Sequence, residues 1–383
     1  MPATNGTTNG AAAKFVVPTE MNAIRYNKLK DFSLVTMPVP EPKGHEILIK
    51  VKSAGICGTD LHIHNGDFES ALTQGKSVVT GHETSGIVVK IGEHVKGFKL
   101  GDKVTADNSE LCGYCHYCRQ GKLLYCENFL AHGVHRKKIA KQFEMFHQAD
   151  LYGIVDGGFA EYCAYPAEKL FHFENCSWEE ASLFEAASCA VHGMDRIRPE
   201  VGSSILLIGA GPTGLCLAQL LKANGGAHMV LASNEGPKME LAKKLNCADE
   251  YVELSRKDPS KQWDDLKAKY PYGFDVVVEA SGSHALLEKA IDYCTRGGKL
   301  VYYGVYEKSA LINVRPQRVF SDEITMVGSF SEMWCLPRAV HYLETRKVDV
   351  RGIVTNTYKL ENFAEALDAV RNKQCIKAVI LFD

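Results

Sequence analysis

One hexapeptide turn limits the folds open to this chain. Gly209-Ala210-Gly211-Pro212-Thr213-Gly214 follows the apolar run SILLI and opens LCLAQLLKANG, whose apolar residues recur at helical spacing. A bare G-x-G-x-x-G says little, but between a strand and a helix it gains a physical meaning. The first glycine makes the tight turn, the second lets the backbone approach a pyrophosphate, and the third lets helix and strand pack closely. The helix N-terminus then faces the phosphates. Gly209, Gly211, Pro212, Thr213 and Gly214 are therefore candidate cofactor-binding residues. Further buried strands follow at HMVLAS, FDVVVEASG and KLVYYGV, separated by helical text such as ALLEKAIDYC. Strands alternating with helices predict a doubly wound parallel sheet.

The text before this region reads differently. EILIKVKSAG, SGIVVKIG, DKVTAD and FAEYCAYP are short strand segments broken by glycines, which predicts a barrel-like β domain. The reading is thus α/β with a β-rich domain, in keeping with two domains for 383 residues. After about Phe330, PRAVHYLETRKV and ENFAEALDAV read as helices and KAVILF as a closing strand. Charge is nearly balanced, 44 basic against 46 acidic residues, so the phosphate-neutralising excess of a nucleic-acid binder is missing. No apolar run approaches the roughly 20 residues that span a bilayer. The first 18 residues lack both the apolar core of a secretory signal and the arginines of a transit peptide. They read as a disordered lead-in, residues 1–20 in all, on a cytoplasmic protein. HRKKIAKQFEMFHQADLYG, 135–153, reads as a solvated surface helix or as an element bordering the active-site entrance or a subunit contact.

Four of thirteen cysteines crowd into one short lobe, Cys112-x-x-Cys115-x-x-Cys118-x7-Cys126. Four thiolates can close a tetrahedron around Zn²⁺ with no open position, the pattern of a structural site; an iron–sulfur cluster also uses four cysteines. A second, dispersed set has a different character. GICGTDLH supplies Cys57, Thr59 and His62, GHETSG supplies His82 and Glu83, and FEAASCAVHG supplies Glu185. One thiolate, one imidazole and one or two carboxylates make an asymmetric site able to keep a position open for substrate. Taken singly, each of these residues also has an ordinary structural use. The end of the second Rossmann strand sets cofactor choice. An NAD enzyme usually carries an acid there for the ribose 2′-hydroxyl, whereas this chain has Ser233 and Asn234. With Lys238 they can donate to a 2′-phosphate, which favours NADP over NAD, although Glu235 next door argues the other way.

With GICGTDLH, GHE, the four-cysteine lobe and GAGPTG in that order, the chain resembles the zinc-dependent medium-chain dehydrogenases from about Met21 to Asp383. Within them VGSFSEMWCLPRAVHYLE and SNEGPKMELAKKL are similar to the polyol branch, the sorbitol and fungal D-arabinitol dehydrogenases. The resemblance implies a GroES-like catalytic domain over 21–195, completed by 331–383, with a Rossmann domain at 196–330 between. It implies one structural zinc and one catalytic zinc, the latter held by Cys57 and His82 with Glu83 or Glu185. Thr59 matches the hydroxyl that bonds the substrate oxygen, and His62 the relay base near the nicotinamide ribose. The implied reaction moves a hydride between a secondary alcohol of a sugar alcohol, best D-arabinitol, and NADP. The alternative is an NADPH-dependent reductase of a bulkier aldehyde or ketone on the same sites. A non-enzymatic zinc and nucleotide scaffold could do without Thr59 or His62, and both are present. Two features depart from the family: Ser331 stands about where sorbitol-type enzymes carry a substrate arginine, and 135–153 is longer than the family loop. The resemblance also implies a homodimer or homotetramer; the apolar strands KLVYYGVY and ALINV are the segments read as able to pair across subunits.

Overall fold

The structure is a computed structural model that describes residues 15–67, 72, 75, 77–127, 130–131, 135–136 and 156–383. Most of the 1–20 lead-in and most of the 135–153 segment lie outside the described residues. Of what remains, Glu20 already opens the strand Glu20–Lys28, and His135–Arg136 pairs with Leu130–Ala131 in a small sheet.

The β-rich part is organised by one long strand, Glu46–Ile56, which buries nearly every side chain it carries. It is central because both of its edges are paired. Glu83–Ile91 lies antiparallel on one side, while Tyr162–Pro166 and the closing strand Lys377–Leu381 pair elsewhere along it. The C-terminal segment thus returns to the sheet formed by the first part of the chain. Val354–Tyr358 joins beyond it in parallel with Lys377–Leu381. The register matters for the site, because Gly55 stands opposite both Glu83 and Val379.

The second sheet has six strands in the order Glu250–Leu254, Gly226–Asn234, Ser203–Ile208, Phe274–Glu279, Cys294–Tyr302 and Thr325–Gly328. All of the pairings are parallel. Continuous apolar runs such as SILLI fit a sheet covered on both faces, and separate cores lie on the two faces. Chain order reverses at Ser203–Ile208, so the crevice at its carboxyl end is where such sheets bind ligands. The helix Phe184–Ile197 crosses from the first part of the chain to this sheet, and Leu336–Glu344 packs against it within the same core. Ala310–Val314 pairs with no described strand of its own chain. Ile312 and Val314 pack onto the core and Leu311 is exposed. Among the described residues no helix is long and apolar enough to cross a membrane.

Candidate functional site

The four-cysteine lobe is built almost entirely from local backbone. Cys115 caps the short helix His116–Arg119, its sulfur accepting the Cys118 N–H at 3.4 Å. Cys112 sulfur takes the Cys115 N–H at 3.4 Å, and Cys126 sulfur takes the Cys112 N–H at 3.5 Å. Such N–H donors favour thiolates; although burial opposes it, those of Cys118 and Glu127 bring Cys115 down to about 7. All four are free thiols with their sulfurs within 4.8 Å of one another. Cys112 to Cys126 is 3.6 Å and Cys115 to Cys126 is 4.0 Å. A tetrahedron with Zn–S bonds of about 2.3 Å has edges of about 3.8 Å. The lobe therefore fits a zinc ion in size and in donor type.

The dispersed set is assembled by the sheet. Cys57 ends the long strand and caps the helix Gly58–Asn65. The adjacent pair His82 and Glu83 begins the neighbouring strand, and the ligand atoms of Cys57, His82 and Glu83 lie within 4.8 Å of one another. Glu185, on the first turn of Phe184–Ile197, approaches this compact group through Asn108. The Asn108 amide donates to the His82 carbonyl at 3.0 Å and to Glu185 Oε1 at 3.4 Å. Thr59 Oγ1 is 3.6 Å from the Cys57 sulfur. His62, half-buried, is held through Nδ1 by Asp67 at 2.9 Å.

Two supporting residues escaped the sequence reading. Asp60 is buried, accepts the Cys57 N–H at 2.9 Å, and sets its other oxygen 3.6 Å from His82 Nδ1. Its signal was present in CGTD, an acid at the third helical position able to reach back to the cap. Lys377, from the closing strand, forms a buried ion pair with Glu83. It gave no local signal, because only strand pairing brings it there. Gly55 is what lets the two meet: a Cβ at that position would stand 2.0 Å from Glu83 Oε2 and 3.0 Å from Lys377 Cε.

The electrostatics of this set ask for a cation. Burial alone would strip His82 of its proton, yet Asp60 and Cys57 raise it well above the ordinary imidazole range. Burial would likewise discharge Lys377, which Glu83 and Cys57 instead hold above the usual ammonium value. Glu185 is pushed up by burial and by Glu83, with His82 opposing. A half-buried cysteine, a buried imidazole and two carboxylates, with Lys377 drawn in against Glu83, fit a divalent metal with mixed S, N and O ligands.

The glycine turn carries the geometry its motif requires. Gly209 has φ of +114°, and a Cβ there would meet the Ala280–Ser281 backbone at 2.9 Å. Gly214 packs on the Gly209 carbonyl, where a Cβ would approach to 2.6 Å. At Gly211, the cap of the helix Pro212–Ala223, a Cβ would meet nothing within 4 Å, which leaves the space in front of the helix N-terminus open. Pro212 and Thr213 begin that helix. This cradle fits a pyrophosphate.

Ser233 and the exposed Asn234 end the second strand, and Lys238 lies half-buried on the helix Pro237–Lys244. Arg256 was not foreseen. It comes from beyond the third strand to donate to the Glu235 carbonyl at 3.1 Å, across the turn that follows Asn234. Burial lowers Lys238, and Lys373 and Arg256 lower it further while Cys375 opposes them. Lys238 thus has two cations, Lys373 and Arg256, close enough to act on it.

Comparison with known proteins completes the description. Residues 43–175 match the alcohol dehydrogenase GroES-like domain family, and 212–345 match the zinc-binding dehydrogenase family. The chain is 46% identical over 364 residues to D-arabinitol dehydrogenase 1 of Uromyces fabae, spanning 95% of this chain and 98% of that one. It is 30% identical to sorbitol dehydrogenase of Bacillus subtilis (strain 168), with 95% and 98% covered. A solved zinc-binding dehydrogenase of Sinorhizobium meliloti 1021, bound to NADP, superposes with a TM-score of 0.83 at 27% identity, covering 95% of this chain and all of that one.

Proposed function

Because the chain belongs to the zinc-dependent medium-chain dehydrogenases, in their polyol branch, we propose that it oxidises D-arabinitol to a ketose with NADP⁺. The observation that carries the substrate class is the 46% identity, over nearly the whole chain, to a fungal D-arabinitol dehydrogenase. Lys238 with the two cations near it, Lys373 and Arg256, and the absence of an acid at Ser233 and Asn234 support the choice of NADP. Cys57, His82 and Glu83 would hold a catalytic zinc, with Glu185 beside the group, and Cys112, Cys115, Cys118 and Cys126 a structural one. The division of labour follows the chain: 21–195 with 331–383 supplies the metal sites, and 196–330 supplies the cofactor cradle.

When bound, zinc supplies a Lewis acid for the substrate oxygen and the nicotinamide supplies a hydride acceptor. The rest falls to the protein's own groups. Asp60 sets a buried carboxylate oxygen 3.6 Å behind His82 Nδ1, a nearby negative charge that favours an N–H on that nitrogen and leaves the other for the metal. Lys377 gives Glu83 a buried cationic partner, so the carboxylate is held in place by an ion pair. The Thr59 hydroxyl, beside Cys57, accepts the hydrogen bond of the reacting hydroxyl and passes its proton on. His62, braced by Asp67 and half open to solvent, is the group placed to deliver that proton to water. In the reducing direction the same residues return it. The protein acts as a homo-oligomer in the cytoplasm on this reading.

The test is the initial rate of D-arabinitol oxidation with NADP⁺ and, in parallel, NAD⁺. A catalytic efficiency at least about tenfold higher with NADP⁺ is expected, roughly one charge-assisted hydrogen bond to the 2′-phosphate. Equal or better use of NAD⁺ would assign the ribose to Glu235 and overturn the cofactor reading. Turnover of bulky aldehydes without polyols would overturn the substrate reading.

A further inference from the structure

A second polar centre lies beside the metal set, and nothing in the mechanism uses it. Lys169 is buried, yet its ammonium is fully engaged: Asp107 Oδ2 at 3.0 Å, Ser109 Oγ at 3.2 Å, and the Trp334 ring, whose centroid is 5.7 Å away. Asp107 is itself saturated, its other oxygen taking the Ser109 N–H at 2.8 Å and hydroxyl at 2.6 Å. Next in sequence is Asn108, the residue that links His82 to Glu185. The centre therefore shares a wall with the candidate zinc site.

Glu332 faces this centre from the loop that follows the dinucleotide-binding sheet. Only 4% of it is exposed. Its Oε2 accepts the Cys335 N–H at 3.0 Å, and its other oxygen takes no hydrogen bond from a described residue. Ser331 and Trp334, on either side, adopt left-handed φ values of +50° and +59°, costly for residues with side chains and most costly for bulky ones. Burial, and next the charge of Asp107, push the Glu332 carboxyl up to about 8. Near neutral pH it is thus mostly a carboxylic acid, able both to donate and to accept. Glu185 and Cys189 also feel its charge, which places it near the metal set. The acid is anchored through one oxygen, and the other is left available to a ligand.

We infer that Glu332 is a substrate-recognising residue, whose second oxygen hydrogen-bonds a hydroxyl of the polyol other than the one undergoing oxidation. Lys169, locked by Asp107 and Ser109, fixes the Trp334 ring over the same place, so the subsite is rigid before substrate arrives. Ser331 beside it is too short to fill the role, which leaves Glu332 as the polar group this loop turns inward. The inference rests on the polyol reading above and names the group that distinguishes a polyol from a simple alcohol. A site built to hydrogen-bond a hydroxyl discriminates strongly against a ligand that lacks it.

The experiment compares Glu332→Leu and Glu332→Gln with the unmodified enzyme on D-arabinitol and on 2-butanol, which has only the reacting hydroxyl. Zinc content and NADPH fluorescence titration report the folding of each variant. Glu332→Leu should lower kcat/KM for D-arabinitol by at least about fiftyfold, mainly through KM, and change that for 2-butanol by less than about threefold. Glu332→Gln, which keeps an acceptor and a donor, should lose about fivefold to tenfold on D-arabinitol. D-arabinitol binding to the enzyme–NADPH complex, read by fluorescence without turnover, should weaken in the same order. Equal losses on both alcohols, or none on either, would overturn the proposal while leaving the polyol reading intact. If Glu332→Leu does not fold, the Gln variant decides by the same comparison. An unmodified enzyme that oxidises 2-butanol and no polyol would overturn both, an outcome visible before any variant is made.

Discussion

The two cysteine-containing candidate metal sets show opposite ways of building a site. The lobe of Cys112, Cys115, Cys118 and Cys126 spans 15 residues and is held by hydrogen bonds from its own backbone to its own sulfurs. Its donors are equivalent and closed upon themselves. The set of Cys57, His82, Glu83 and Glu185 comes from three distant segments, braced by residues from elsewhere: Asp60 beside Cys57 and His82, Lys377 on Glu83, and Asn108 between His82 and Glu185. A closed, symmetric site has nothing left to offer a substrate, whereas an asymmetric one does. The difference teaches that what holds the second set is the tertiary fold itself, so its integrity reports on packing far from the metal.

Substitution separates the two most sharply in the lobe. Cys115→Ser should remove most soluble protein, since structural zinc contributes directly to folding. Any folded remainder should keep kcat within about threefold, measured per zinc-loaded chain. A folded, stable Cys115→Ser protein lacking turnover would invert the assignment of the two sets. Lys377→Met comes next. It leaves Glu83 buried without its cation, a loss of about 3–5 kcal/mol. Zinc should then leave the Cys57 set first under chelator challenge while the lobe retains its ion; simultaneous loss from both would show that Lys377 does not act locally. Arg256→Ala touches neither set. It should raise KM for NADP⁺ roughly tenfold and leave that for NAD⁺ unchanged, the weight of one charge-assisted bond; an equal rise for both would make Arg256 a structural residue.

The smallest effect is one of pH. His64, on the helix that carries Thr59 and His62, lies 3.1 Å from the Tyr26 hydroxyl through Nδ1 and 3.2 Å from Arg371 through Nε2. Because the guanidinium can only donate, the ring must accept at Nε2 and stay neutral. Burial first, then Arg371 and Lys30, hold His64 below its ordinary value, with Asp368 opposing. In the unfolded chain it protonates near its usual 6.5, so the unfolded state binds the extra proton. Stability from this contact is therefore full above about 6.5 and is lost as pH falls below it. Thermal unfolding at pH 7 and 5.5, with His64→Gln flattening the difference, checks the sign. The dispersed set should loosen with this helix, and the lobe should not.

Much of the molecule could be read from residues alone, for identifiable reasons. The glycine turn works because close backbone approaches at Gly209 and Gly214 admit no side chain, while Gly211 keeps the space before the helix open. The lobe works because its ligands are sequence neighbours. Asp60 was overlooked although its capping spacing was visible. Lys377, Arg256 and Lys373 had no such signal, since strand pairing and the doubly wound crossover create their proximity. Glu332 looks like an ordinary surface acid until the fold buries it.

The most direct test of the division between the two sets is Cys57→Ser, with zinc per chain and turnover of D-arabinitol measured on the same sample. Loss of zinc from one set only, retained folding, and a fall in kcat/KM of at least about a thousandfold are the expected result, several kcal/mol of transition-state stabilisation. Turnover that survives while that set stands without zinc would contradict the assignment of the chemistry to Cys57, His82, Glu83 and Glu185.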